Sequence, residues 1–178
     1  MRVLVLGGIR SGKSAWAESA IAQASAEGGV RYLATGGSDS DDADWSVRVA
    51  AHRQRRPSHW STVESPDVAA HLRADSTTAT IVDDMGGWLV AALDRRDAWT
   101  GGQDAITGDV DDLLDAVDGF AAPLALVSPE VGLTVVSSTE SGRLFTDALG
   151  TLNQRLAQLC ERVVLVVAGQ AVTVKEPT

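Results

Sequence analysis

Short runs of apolar, often β-branched residues alternate along this chain with stretches in which apolar residues recur at helical spacing. The strand-like runs lie at 3–6, 30–34, 79–82, 124–128 and 163–168. Between them the pattern predicts helices at about 13–26, 43–55, 66–74, 86–96, 110–118 and 142–160. Such alternation predicts an α/β fold, with a mainly parallel sheet covered by helices on both faces.

The C-terminal part of the pattern predicts an antiparallel edge strand. Gly169-Gln170 separates the run ending at Ala168 from a further strand-like run at 171–174. Glycine at the first central position favours a type II′ hairpin. Two polar stretches, 36–44 and 97–109, are interpreted as loops, and neither is long enough to link domains. At 178 residues, the chain is expected to form one domain over 1–178.

The composition of the chain excludes some kinds of binding partner and indicates its cellular compartment. A net charge of -9 argues against nucleic acid or an anionic membrane, since both require a basic surface. The single cysteine, Cys160, lies in a leucine-periodic helix and is interpreted as a buried apolar side chain, which fits a reducing compartment. No apolar run approaches the length of a membrane span, so we expect a cytoplasmic protein.

A glycine-rich segment joins the first strand to the first helix. It reads Gly7-Gly8-Ile9-Arg10-Ser11-Gly12-Lys13-Ser14 and matches the phosphate-binding P-loop pattern at every fixed position. Its backbone N–H groups and the helix N-terminus are expected to bind phosphate, while Lys13 reaches the outer phosphates and Ser14 is a ligand of Mg²⁺. The segment therefore predicts a P-loop NTPase fold of the RecA-like kind that binds a nucleotide with magnesium.

A second metal ligand is expected at the end of a neighbouring strand. Asp83 and Asp84 follow the apolar run at 79–82. We assign Asp83 to the metal because it is the first polar residue after the strand, and Asp84 can then cap the next helix.

The segment 48–60 concentrates basic side chains in an otherwise acidic chain. On a helix, Arg48 and His52 lie one turn apart, and Pro57 ends that helix soon afterwards. Arginines beside a histidine suit a site where phosphate is held while an imidazole nitrogen attacks phosphorus. A solvated basic helix face is the alternative. His59 and His71 are interpreted as surface or structural residues.

Several motifs together resemble a known family. They are the P-loop, Tyr32-x-Ala34-Thr35, the segment from Arg48 to Glu64, Val127-Ser128-x-Glu130-Val131-Gly132, Arg143-x-Phe145-x-Asp147, Leu152-Asn153-Gln154 and the ending at Gly169 with Lys175. In combination they resemble the adenosylcobinamide kinase / adenosylcobinamide-phosphate guanylyltransferases over about residues 2–175.

The resemblance implies a two-step enzyme of cobalamin assembly. Adenosylcobinamide would be phosphorylated with ATP or GTP, and GMP would then pass from GTP to adenosylcobinamide phosphate through a histidine–GMP intermediate. By motif position the nucleophile is His52, and the residues around the guanine nucleotide are Thr35, Arg53, Arg56 and Glu64. Members of this family form trimers, so the resemblance also implies a homotrimer.

Two other functions fit the P-loop alone. One is a different P-loop small-molecule kinase in which His52 only contacts phosphate, and the other is a nucleotide switch without transfer chemistry. Neither accounts for the segment around His52, so the two-step enzyme is favoured.

Overall fold

The structure is a computed structural model that describes residues 1–25, 28–36, 57–100 and 103–176. The helix predicted at 43–55 and most of the loop predicted at 36–44 lie outside these ranges, as do Arg48, His52, Arg53 and Arg56.

Seven strands and five α-helices make up the described part of the chain. The strands are β1 (Arg2–Gly7), β2 (Val30–Ala34), β3 (Ser61–Glu64), β4 (Ala79–Asp83), β5 (Leu124–Pro129), β6 (Arg162–Val167) and β7 (Gln170–Lys175). The helices are α1 (Lys13–Ala24), α2 (Val68–Ala74), α3 (Met85–Arg95), α4 (Thr107–Asp118) and α5 (Glu140–Leu159). Each predicted strand and each predicted helix within the described ranges is confirmed, with its ends displaced by three residues or fewer.

The strands form one sheet in the order β3-β2-β4-β5-β1-β6-β7. Every neighbouring pair is parallel except β6 and β7, which are antiparallel. The predicted α/β fold with a C-terminal antiparallel edge hairpin is therefore confirmed. Because β1 lies between β5 and β6, the carboxyl ends of these strands meet at one edge of the sheet.

The sheet separates two hydrophobic clusters. Alternate residues of the central strands, such as Val3 and Val5, face α1, where Ala17 and Ile21 are fully buried. The intervening residues, such as Leu4 and Leu126, face the other helices. Burial on both faces explains why the central strands appear in the sequence as continuous apolar runs.

One strand was missed and two local predictions were wrong. Strand β3 was not predicted because Ser61-Thr62-Val63-Glu64 lies at a sheet edge, is largely exposed and lacks an apolar run. The loop predicted at 97–109 contains a 3₁₀-helix (Gln103–Ile106) and the start of α4. In the β6–β7 hairpin, the turn residues are Ala168 and Gly169, with φ of 49° and 78°. Positive φ at both positions is typical of a type I′ turn rather than the predicted type II′.

In the described ranges, no helix is long and apolar enough to span a membrane.

Candidate phosphate-binding site

The P-loop connects β1 to α1, as the motif predicts. Arg10 and Gly12 have φ of 57° and 94°, which turns the backbone back on itself before Lys13 begins the helix. The N–H of Ser11 donates to the carbonyl of Gly8 at 3.3 Å. The tip of the loop is open to solvent, since Ile9 is 86% exposed. A phosphate group can therefore approach the backbone at the start of α1.

The β6–β7 hairpin packs closely against this loop. The N–H of Gly169 donates to the carbonyl of Ser11 at 2.8 Å. A Cβ added to Gly12 would lie 3.2 Å from the Cα of Gly169, and one added to Gly7 would lie 2.8 Å from the carbonyl oxygen of Val166. Gly7 and Gly12 are thus required by close backbone packing as well as by phosphate access. Sequence reasoning missed Gly169 as a supporting residue, because its contact with the P-loop is made only in the folded sheet.

Lys13 lies at the first position of α1, and its side chain is partly buried. Its Nζ donates to the carbonyl of Gly8 at 3.4 Å, at the long limit of a hydrogen bond. A contact this weak is readily exchanged for a phosphate oxygen. The position agrees with the predicted role of Lys13 on the outer phosphates.

Asp83 and Asp84 lie at the carboxyl end of β4. Asp84 is the N-cap of α3, where its carboxylate accepts a hydrogen bond from the N–H of Gly87 at 2.7 Å, so the predicted cap is confirmed. The Asp83 carboxylate instead accepts a hydrogen bond from the hydroxyl of Tyr32.

The Asp84 carboxyl is close enough to Lys13 and to Asp83 for both charges to act on it. Burial raises the pKa of the Asp84 carboxyl, and the neighbouring Asp83 carboxylate raises it further. The hydrogen bond from Gly87 and the positive charge of Lys13 act in the opposite direction. The two carboxylates and the lysine therefore share one electrostatic environment at this edge of the sheet.

The donor set suits magnesium. Ser14 supplies a hydroxyl in the first turn of α1, and Asp83 supplies a carboxylate. Within the described ranges there is no group of three or more His, Cys, Asp or Glu side chains that could hold a metal ion. Magnesium is commonly bound by one or two carboxylates together with water and substrate phosphates. Ser14 and Asp83 fit that mode.

Thr35 and Glu64 lie at the same edge, on the far side of β4 from the P-loop. Thr35 is 4% exposed, its N–H donates to the carbonyl of Asp83 at 3.1 Å, and its hydroxyl donates to the carbonyl of Asp84. Glu64 is exposed at the end of β3 and is paired in register with Ala34. Their predicted contacts with guanine nucleotide remain predictions.

The carboxyl end of β5 also adjoins the P-loop. The buried hydroxyl of Ser128 donates to Asn153 Oδ1 at 2.6 Å, and Asn153 Nδ2 donates to the carbonyl of Pro129 at 3.0 Å. The N–H of Glu130 then donates to the carbonyl of Gly7 at 3.1 Å. Ser128, Asn153 and Glu130 were noted in the sequence only as parts of the resembling motifs. Their structural role is to fix the end of β5 against the first glycine of the P-loop.

The chain is similar to proteins of one enzyme family. Residues 3–174 match the family described as "Cobinamide kinase / cobinamide phosphate guanyltransferase". The chain is 38% identical over 178 residues to the bifunctional adenosylcobalamin biosynthesis protein CobP of Pseudomonas aeruginosa, with 98% of each chain covered. It is 35% identical to the corresponding protein CobU of Escherichia coli K12 and 34% identical to that of Salmonella typhimurium, covering 98% of this chain and all of each relative.

Solved structures support the fold. A prototypical ATPase of a bacterial type III secretion system superposes with a TM-score of 0.55 at 11% sequence identity. The match covers 97% of this chain and 56% of the ATPase. At this identity the likeness concerns the fold alone, and it agrees with the P-loop NTPase architecture described above.

Proposed function

Because the chain belongs to the cobinamide kinase / cobinamide phosphate guanyltransferase family, we propose that it carries out both reactions on adenosylcobinamide. The first phosphorylates the aminopropanol hydroxyl, and the second transfers GMP from GTP to the new phosphate. The observation that carries this proposal is the open P-loop over Gly7–Ser14, with Lys13 beside the aspartate pair.

In the kinase step, the hydroxyl oxygen of adenosylcobinamide attacks the γ-phosphorus of ATP or GTP. A new O–P bond forms, the bond between the γ-phosphorus and the β,γ-bridging oxygen breaks, and a nucleoside diphosphate leaves while the hydroxyl proton is released. The P-loop amides and Lys13 bind the phosphates and neutralise charge that builds up on them. Ser14 and Asp83 would hold Mg²⁺, which when bound adds positive charge beside the phosphate oxygens.

In the second step, an imidazole nitrogen of His52 attacks the α-phosphorus of GTP. The N–P bond forms and pyrophosphate leaves. A phosphate oxygen of adenosylcobinamide phosphate then attacks the same phosphorus, which breaks the N–P bond and gives adenosylcobinamide-GDP. A covalent intermediate divides one substitution into two displacements.

Arg53, Arg56, Thr35 and Glu64 are proposed to surround the guanine nucleotide. The support from structure concerns Thr35 and Glu64, because β2 and β3 end at the same edge of the sheet as Asp83. His52, Arg53 and Arg56 lie outside the described residues, in the segment that connects β2 to β3 in the sequence. Guanidinium groups in that segment would pair with phosphate oxygens.

The intact mass of the protein after incubation with Mg-GTP tests the proposal. We expect an increase of one GMP that is lost in acid and stable in base, as is typical of an N–P bond. His52→Ala should abolish the adduct and the formation of adenosylcobinamide-GDP, yet retain phosphorylation of the hydroxyl, which needs only the P-loop and metal.

The other two histidines of the chain provide matched controls. His59 is exposed and His71 lies in α2, so His59→Ala and His71→Ala should still form the adduct. A folded His52→Ala protein that still takes up GMP would show that the nucleophile lies elsewhere. Phosphorylation without any adduct in the parent protein would instead favour a simple kinase.

We also propose that the protein is cytoplasmic, because its single cysteine is buried and forms no disulfide, which fits a reducing compartment. On the basis of the family resemblance, we propose that it forms a homotrimer. Sedimentation equilibrium measures the assembly directly, and a monomer at micromolar concentration would contradict the trimer.

A further inference from the structure

Tyr32 and Asp83 meet on the face of the sheet that carries the P-loop helix. Tyr32 pairs in register with Ile81, and Asp83 pairs with Ala34, so Asp83 is the diagonal neighbour of Tyr32 across β2 and β4. Side chains alternate along a strand, and Ile81 belongs to the cluster under α1. Asp83 therefore lies on the α1 side, where Ser14 and Lys13 begin the helix.

The Asp83 carboxylate is held through a buried side chain. The Tyr32 ring is 1% exposed within the α1 cluster, and its hydroxyl donates to Asp83 Oδ2. The backbone at Asp83 and Asp84 is fixed as well, because Thr35 donates through its N–H to the carbonyl of Asp83 and through its hydroxyl to the carbonyl of Asp84. The rotation of the Asp83 carboxylate is the freedom that remains, and the Tyr32 hydroxyl restricts it.

We propose that Tyr32 is a positioning residue that orients Asp83 for the metal that accompanies the nucleotide. The inference rests on the proposed function, in which Asp83 serves the metal. With Oδ2 bound to the phenol, Oδ1 is left to face the metal or its water. Groups that orient a metal ligand in this way commonly contribute about 10- to 100-fold to metal affinity.

The test uses Mn²⁺ as a paramagnetic probe in place of Mg²⁺. Its affinity for the protein bound to a non-hydrolysable GTP analogue is measured by electron paramagnetic resonance, and nucleotide affinity is measured separately without metal. Tyr32→Phe keeps the buried ring and removes the hydroxyl. We expect Mn²⁺ affinity to fall about 10-fold while metal-free nucleotide affinity stays within about twofold. Unchanged Mn²⁺ affinity in folded Tyr32→Phe would overturn the proposal.

Thr80→Val is the matched control. Thr80 is fully buried on β4, and its hydroxyl accepts from Arg31 and donates to the carbonyl of Thr78, near the opposite end of the strand from Asp83. Deleting this hydroxyl should lower stability without changing Mn²⁺ affinity. If it weakens Mn²⁺ as much as Tyr32→Phe does, the effect is a general consequence of a lost buried hydrogen bond and the proposal fails.

Asp83→Asn separates this inference from the proposed metal site. If Asp83→Asn loses Mn²⁺ affinity and Tyr32→Phe does not, only the positioning role is wrong. If neither variant changes it, the assignment of Asp83 to the metal is wrong too.

A second measurement does not depend on a variant that must fold. Tyr32 is the single tyrosine of the chain, so fluorotyrosine incorporation gives one ¹⁹F resonance. With the GTP analogue already bound, adding Mg²⁺ should shift that resonance, because the metal alters the electron density of the Asp83 carboxylate that accepts the hydrogen bond from the phenol. A resonance that does not move when Mg²⁺ binds would overturn the proposal.

Discussion

Lys13 and Lys175 are the two lysines of this chain, and they contact backbone carbonyls in different surroundings. Lys13 makes one weak contact at the P-loop. Lys175 donates to the carbonyls of Ala157, Gln158 and Cys160 at 2.9, 3.2 and 2.7 Å, where α5 ends. A cation at the C-terminus of a helix satisfies carbonyls that have no partner within the helix and interacts favourably with the helix dipole.

Substituting each lysine should therefore separate function from stability. Lys13→Ala is expected to lower nucleotide turnover by at least about 100-fold, since charge neutralisation at the phosphates is a large part of phosphoryl-transfer catalysis. Its melting temperature should change little. Lys175→Ala should lower the free energy of unfolding by about 1 kcal/mol, a shift of roughly 2–4 °C, and leave turnover intact. Turnover assays and thermal melts on both variants check this, and a folded Lys13→Ala protein with normal turnover would contradict the P-loop assignment.

Among the elements, the β6–β7 hairpin has a turn whose first residue is not the one that best suits its backbone conformation. Ala168 has φ of 49°, a left-handed conformation that costs a non-glycine residue about 1 kcal/mol. Asn-Gly is the preferred pair for a type I′ turn. Ala168→Asn should therefore raise the free energy of unfolding by about 0.5–1 kcal/mol, measured by urea denaturation.

A β-branched residue at the same position gives the opposite sign. Ala168→Val should destabilise the protein by about 1 kcal/mol or more, because valine is disfavoured at positive φ. Equal stability of the Asn and Val variants would show that the turn is not the type I′ turn described here.

The accuracy with which the sequence predicts the structure differs from one kind of element to another. The P-loop was predicted because eight consecutive residues define it, and the strands buried on both faces were predicted from their apolar runs. Strand β3 was missed because its residues are largely exposed and its pairing with β2 is what makes it a strand. The contacts of Tyr32 with Asp83 and of Gly169 with Ser11 depend on strand register between distant segments, which local patterns do not contain.

At the scale of the whole molecule, we expect the buried Cys160 thiol to report on unfolding. It is 1% exposed between α5 and β6, and burial raises the pKa of its thiol to about 12 from an ordinary value near 9. The reactive thiolate is therefore scarce in the folded protein at pH 8. Alkylation by iodoacetamide should be slow, and the proposed binding of Mg-GTP should slow it further, because a ligand that binds only the folded state stabilises that state.

The same thiol gives a pH dependence of defined sign. As pH rises from 9 towards about 12, the unfolded chain loses the thiol proton while the folded chain keeps it, so this group lowers stability at alkaline pH. Cys160→Ala should reduce that alkaline loss, measured as urea midpoints at pH 8 and pH 10. A midpoint difference between the parent and Cys160→Ala that does not change with pH would contradict the buried thiol.

The contact between the P-loop and the β6–β7 hairpin has a consequence for biosynthesis. The ribosome makes the P-loop near the start of the chain and the hairpin much later, and β1 lies between two strands, β5 and β6, that also emerge late. A nascent chain therefore exposes its phosphate loop before the hairpin that supports it exists. We therefore expect nucleotide to stabilise the fold only after β5, β6 and the hairpin have been made and the sheet has assembled around β1.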